Sequence, residues 1–133
     1  MILADTSAWV EYDRASGSTA DERLAELIDA GGGDLAVTEP VMMEVLAGAR
    51  TDQRSSDLRR LLTSFQWIAA DPVADFEGAA LLYRQCRSAG VTPRGLIDCM
   101  IATISLRSGA ELLAVDGDFA AIAHVVPLRL ASR

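Results

Sequence analysis

Lysine is missing altogether from these 133 residues, and all twelve basic side chains are arginines. That absence excludes phosphate binding through a P-loop lysine, Schiff-base chemistry, and receiver-type sites with an essential lysine. Histidine occurs once, at His124, which excludes a two-histidine acid–base mechanism. Aromatic side chains are scarce (three Phe, two Trp, two Tyr), so a core must come from Leu, Ile, Val and twenty-two alanines. Such a core favours helices packed on a small sheet over an all-β sandwich. The two cysteines, Cys86 and Cys99, form neither a CxxC pair nor a metal-type spacing with histidine, and read as buried reduced thiols. No apolar run approaches the ~18 residues of a membrane helix. The opening Met1-Ile2-Leu3-Ala4-Asp5 has no basic segment and meets a carboxylate after three apolar residues, unlike a signal peptide. A cytoplasmic protein with no membrane association is therefore expected.

What is present is acid. Nineteen Asp and Glu against twelve Arg give a formal net charge of −7. Charge alone argues against a nucleic-acid partner, because phosphate binding usually shows a basic excess. With no lysine and one histidine, any chemistry must fall to carboxylates. The length fits one domain over residues 1–133, burying roughly two thirds of its unfolded surface without help from disulfides or metal.

Strands and helices alternate along the chain. Ile2-Leu3-Ala4 reads as a buried strand that stops at Asp5-Thr6-Ser7, where a helix starts. A second helix runs from Asp21 to Ala30 and stops at Gly31-Gly32-Gly33. Leu35-Ala36-Val37 is a second strand, after which Thr38 caps a helix through Val45 and Ala49. Asp52 to Phe65 is helical with arginines outward, and Trp67-Ile68-Ala69 is a candidate third strand. Asp71-Pro72 opens a helix to about Gly90, and Thr92-Pro93 opens another that ends at Gly109. Leu112 to Val115 is a buried strand, followed by a short helix over Phe119–Ala123 and a last strand near Val125–Leu128. The pattern predicts an α/β domain with a small, mostly parallel central sheet flanked by helices.

In such sheets ligands bind at the carboxyl ends of the strands. Asp5 and Asp116 directly follow strands, with Asp118 two residues further on. Glu44 and Asp98 border the apolar faces of their helices. Each has a plain alternative: Asp5 could be a helix N-cap, Asp116 a turn former, Glu44 and Asp98 solvated flanks. Carboxylates gathered in one cleft repel unless a divalent cation neutralises them or some stay protonated. Oxygen-only ligands select a hard ion, Mg²⁺ or Mn²⁺, which suits metal-dependent hydrolysis of phosphate esters.

Four segments then carry a family resemblance. Residues 2–11 (ILADTSAWVE), 39–48 (EPVMMEVLAG), 96–102 (LIDCMIA) and 112–119 (LLAVDGDF) resemble, in order and spacing, the PIN-domain ribonucleases of the VapC toxin family. The resemblance implies a PIN-like three-layer α/β sandwich, binding of Mg²⁺ (or Mn²⁺) by an acidic quartet, cleavage of RNA, and a cognate VapB antitoxin that blocks the site. By position the quartet is Asp5, Glu44, Asp98 and Asp116, with Asp118 as an auxiliary metal-side acid. Thr6 or Ser7 would offer a hydroxyl near the metal or the scissile phosphate, and Thr92 and Arg94 match a polar residue and an arginine that precede the third acid. Gly95 stands where the family often has Ser. The resemblance further implies a homodimer, and it leaves open whether tRNA, a ribosomal RNA loop or mRNA is cut.

Other features fit this frame less tightly. Arg50, Arg54, Arg59 and Arg60 cluster on one helix and Arg84, Arg87 and Arg94 near another, as a solvated face or as an RNA-phosphate track. Trp9 and Tyr12 read as core or interface residues, and His124 as a surface residue without a catalytic role. The helices near Leu24–Ile28 and Val45–Leu62 could offer apolar surface to an antitoxin or a second copy. A haloacid-dehalogenase-type phosphohydrolase also places an Asp after its first strand, but it wants D-x-D and a later lysine. A catalytically silent PIN-like binding module is the non-enzymatic alternative.

Overall fold

A computed structural model describes residues 1–115 and 117–131. Its elements are β1 (Ile2–Ala4), α1 (Thr6–Arg14), α2 (Thr19–Asp29), β2 (Leu35–Val37), α3 (Glu39–Ala47) and α4 (Asp52–Leu62), then β3 (Gln66–Trp67), α5 (Ala74–Ser88), α6 (Leu96–Ser108), β4 (Glu111–Leu113) and α7 (Gly117–Ala123). The four strands pair in parallel in the order β3-β2-β1-β4. The first two crossovers move along the sheet in one direction and the third returns past β1 to the opposite edge. With right-handed crossovers that reversal puts α1–α4 on one face and α5 and α6 on the other, a three-layer α/β sandwich. The reversal lies between β1 and β4, so the crevice at their carboxyl ends is where this topology offers a ligand site.

β1, β2 and β4 are short and mostly apolar because both sheet faces are covered there, while the edge strand β3 is exposed. Leu3, Ala4, Leu35, Ala36, Val37 and Leu112 have no solvent exposure. Alanine and glycine let α5 and α6 approach closely. A Cβ built on Gly78 would lie 2.7 Å from the Thr103 methyl. Cys86 and Cys99 are buried free thiols on this helix pair, as the sequence suggested, and burial pushes the Cys99 thiol up to about 11.

Several boundaries differ from the sequence reading, each for a definite hydrogen-bonding reason. No strand forms over 125–128: the amides of Val125 and Val126 turn back to the Ile122 carbonyl, and Pro127 has none to give. Pairing there is a single parallel bridge from Leu112 to Leu130. Asp71 does cap, its Oδ1 accepting from the amides of Val73 and Ala74 at 2.9 and 2.7 Å, but α5 begins only at Ala74. Residues 92–95 precede α6 because the Arg94 amide donates to Asp118 Oδ2 at 3.2 Å and Gly95 is extended. β3 covers Gln66–Trp67, with one further bond from the Ile68 amide to the Val37 carbonyl, and β4 spans Glu111–Leu113. Thr38 sits at the α3 N-cap without a side-chain cap bond; its hydroxyl faces Glu39 Oε1 at 3.5 Å. Leu24 and Leu27 are core residues, so α2 does not offer the apolar face expected of it; Met43, Val73, Phe76, Leu81 and Leu96 are among the exposed apolar side chains. Among the described residues no helix is long and apolar enough to cross a membrane.

Candidate active site

β1 ends one residue before α1 begins, which leaves Asp5 at the N-cap of α1 and at the mouth of the crevice. Its backbone amide still belongs to the sheet, donating to the Leu113 carbonyl of β4 at 2.8 Å. Its side chain belongs to the helix. Oδ2 accepts from the Ser7 amide at 3.0 Å and from the Ser7 hydroxyl at 2.6 Å, a normal N-cap arrangement. Oδ1 is buried and has no hydrogen-bond partner among the described residues. Asp5 is only 3% exposed, and burial raises its pKa above the usual carboxylate range. The Ser7 hydroxyl, with the backbone amides of Ser7 and Thr6, pulls the other way, and the negative charge of Glu44 adds to the rise. An N-cap alone would not need an unpartnered oxygen or a like-charged neighbour.

Glu44 reaches the same place from α3. Val41 on that helix is fully buried and Glu44 half-buried, so the carboxylate borders the core as its position on the helical wheel predicted. Its Oε1 accepts the Thr6 hydroxyl at 2.6 Å. The two hydroxyls that follow Asp5 therefore each serve a carboxylate: Thr6 serves Glu44 and Ser7 serves Asp5.

Ser7 has a second partner. Its Oγ accepts from the Val115 amide at 3.0 Å, across the gap between the ends of β1 and β4. Asp116 lies outside the described residues. Its neighbours in sequence are tied down on both sides, Val115 through Ser7 and Asp118 through the Arg94 amide.

Asp98 stands half-buried in the first turn of α6, where the helix dipole favours an anion. Asp98 and Asp118 both act by their charge on the buried Cys99 thiol between them and the core. Thr92 and Arg94 are exposed on the loop before α6. Among the described residues, no three Asp, Glu, Cys or His side chains come together closely enough to hold an ion by themselves. Those residues give instead an Asp5–Glu44 pair on one side and Asp98 with Asp118 near Cys99 on the other.

A groove of about 630 Å³ opens beside Glu44 between α1, α3 and α4, lined by Trp9, Tyr12, Arg50, Arg54 and Leu61 among others. Trp9 is buried, with its ring edge-on to Tyr12 at 6.1 Å and tilted against Phe65 at 5.8 Å, the core role the sequence favoured. Arg54 is paired with Asp13. Arg84 and Arg87 line a separate shallow depression at the end of α5, and Arg87 also lies over the Tyr83 ring at 5.7 Å. Arg50 and Arg54 thus lie along one groove, and Arg84 and Arg87 along another depression. His124 is exposed beyond α7.

The structure thus sets a buried carboxylate, Asp5, beside Glu44 at the switch point of an all-parallel sheet. The sequence matches the PIN-domain family over residues 2–125. It is 42% identical over 132 residues to VapC ribonuclease Mb1587 of Mycobacterium bovis and to ribonuclease VapC11 of Mycobacterium tuberculosis, covering 99% of this chain and 98% of each relative. The fold is similar to that of VapBC2 from Rickettsia felis, solved bound to a promoter DNA fragment, with a TM-score of 0.76 at 20% identity and 98% of both chains covered. The chain belongs to the PIN-domain family, in its VapC branch.

Proposed function

We propose that this chain is a metal-dependent endoribonuclease, the toxin of a VapBC-type pair, held inactive by a cognate VapB-type antitoxin. The observation that carries the reading is Asp5: a buried carboxylate with one unpartnered oxygen, set beside Glu44 at the switch point of the sheet. The identity to two VapC ribonucleases over nearly the full chain supports the nuclease class, and the likeness to VapBC2 supports the antitoxin partnership. A cytoplasmic homodimer is part of the same reading.

The donors fit a hard divalent ion. An acceptor with no partner in a buried, oxygen-only environment is satisfied by Mg²⁺ or Mn²⁺, and such an ion removes the penalty of placing Glu44 beside Asp5. Asp5, Asp98 and Asp116 would hold it, directly or through water, with Asp118 as auxiliary. When bound, the ion supplies charge neutralisation at the scissile phosphate and a more acidic water. The chain's own residues do the rest. Glu44, with Oε1 occupied by Thr6, would take the proton of the attacking water on Oε2. The water oxygen would bond to phosphorus as the P–O3′ bond breaks, and the departing 3′ oxygen would take a proton from solvent, leaving a 5′-phosphate and a 3′-hydroxyl. Thr92 and Arg94, exposed beside Asp98, would steer the RNA backbone.

Asp98→Asn keeps the shape of the side chain and removes its charge, so it should lower RNA cleavage by about 100-fold or more while the protein stays folded. Cleavage of total RNA by the purified chain, with and without EDTA, and growth on induced expression check this. Full activity in Asp98→Asn, or cleavage that survives EDTA, rules the scheme out, and an inert wild-type chain that still binds a VapB-type peptide points to a silent binding module.

A further inference from the structure

We infer that Ser7 is a positioning residue that locks the Asp5 carboxylate to the exit of β4, and that its hydroxyl takes no substrate phosphate. The inference rests on the nuclease reading above for its kinetic consequence, and on hydrogen-bond geometry alone for the lock itself.

A serine hydroxyl has one proton to give and lone pairs to accept with. At Ser7 the proton goes to Asp5 Oδ2 at 2.6 Å, within the range of a charge-assisted O–H···O⁻ bond, and a lone pair receives the Val115 amide at 3.0 Å. What Ser7 has left is acceptor capacity. A phosphodiester oxygen is itself an acceptor and finds no donor there. Thr6 is committed in the same way, its proton placed on Glu44 Oε1 at 2.6 Å. The two hydroxyls next to the first acid, which the family resemblance would place near the metal or the phosphate, are both engaged by carboxylates.

The place of the second hydrogen bond gives Ser7 its role. β1 and β4 are already joined by the Asp5 amide and the Leu113 carbonyl. Two residues beyond that bond the strands have ended, and the Val115 amide has no ladder partner. Ser7 supplies one from the first turn of α1. This bond joins the Val115 backbone to the hydroxyl that holds Asp5 Oδ2; because the Ser7 amide and hydroxyl both fall on Oδ2, Oδ1 is the Asp5 oxygen with no partner among the described residues. One hydroxyl thereby ties the Asp5 carboxylate to the backbone at the exit of β4.

The test uses the full chain with Ser7→Ala and Ser7→Thr. Without RNA, Mn²⁺ titration and the nuclear magnetic resonance shift of the Val115 amide report on the lock. With a labelled RNA stem-loop that the wild type cleaves, kcat and KM are separated. Ser7→Ala should move the Val115 amide resonance, weaken Mn²⁺ binding and lower kcat by about 10- to 100-fold, with KM for RNA within about twofold of wild type. Ser7→Thr, which keeps the donor and the acceptor, should restore all of these. A raised KM with kcat, Mn²⁺ affinity and the Val115 resonance unchanged would overturn the inference in favour of a phosphate-binding hydroxyl. If the wild type binds Mn²⁺ but cleaves no RNA, the nuclease reading fails, and the Mn²⁺ and amide measurements still decide the role of Ser7.

Discussion

Asp5 does two jobs with one carboxylate. Oδ2 caps α1, and Oδ1 is left buried without a partner among the described residues. The pattern of a strand followed by Asp-Thr-Ser was compatible with a cap and with a metal ligand alike. The spare oxygen could not be read from the sequence, because it depends on what the fold packs around it. The pKa shift has a consequence for stability. Asp5 in the folded chain holds its proton to higher pH than in the unfolded chain, where the ordinary value is 3.8. Between those two values the native state binds more protons than the unfolded state, so without metal stability falls as pH rises through this window. The penalty is complete above the folded pKa. Asp5→Asn removes the charge and keeps a good N-cap. In EDTA at pH 7 it should melt several degrees above wild type, with the gap closing near pH 3 where both side chains are neutral. Saturating Mg²⁺ should raise the wild-type midpoint and leave the variant unmoved. A scan of melting temperature against pH, with and without Mg²⁺, checks both.

Most helix and strand types followed from periodicity and capping residues; some boundaries moved through local bonds, as at Asp71, and that of α6 moved because a long-range bond overrode a local signal. The Thr92-Pro93 pair has the composition of a helix start, yet Asp118 claims the Arg94 amide and α6 waits until Leu96. Asp98 nonetheless falls in the first turn, so the shifted boundary changes nothing at the site. Packing between elements was less legible. Gly78 reads as a weak point in a helix, but it lets α5 approach Thr103 of α6, whose hydroxyl is held to the Cys99 carbonyl at 2.7 Å and cannot turn away freely. Gly78→Ala gains about 1 kcal/mol of helix propensity and meets the Thr103 methyl at 2.7 Å. The net change should be a loss of about 1–2 kcal/mol in urea unfolding, and adding Thr103→Ser, which deletes that methyl, should recover most of it. Asp75 is another buried group the sequence did not single out. It is fully buried and clamped by Arg107 at 2.7 and 2.8 Å, tying the start of α5 to the end of α6. Burial would push its carboxyl up, but the hydrogen bonds from Arg107 and the Asp71 amide, with the charge of Arg107, hold it below the usual value.

For the whole molecule, charge was the least reliable guide. Asp5, Glu44, Asp98, Asp116 and Asp118 carry five of the negative charges, and setting them aside leaves −2 of the −7. The acidity that argued against a nucleic-acid partner is in large part the proposed metal site. Exposed Arg59 and Arg60 on α4 lie beyond the groove that Arg50 and Arg54 line. Replacing both by Ala should weaken RNA binding and lower the slope of log K against log salt by roughly 0.7 for each phosphate no longer neutralised. Affinity measured at several salt concentrations checks this, and an unchanged slope assigns the pair to a solvated face. The sequence by itself excluded every mechanism that needs a lysine, because the chain has none, and it determined the alternation of elements, because apolar periodicity is local. The tertiary structure decided which oxygens are free and which hydroxyls are engaged. Those depend on the strand order β3-β2-β1-β4, which brings the ends of β1 and β4, over a hundred residues apart in the chain, within one hydroxyl of each other.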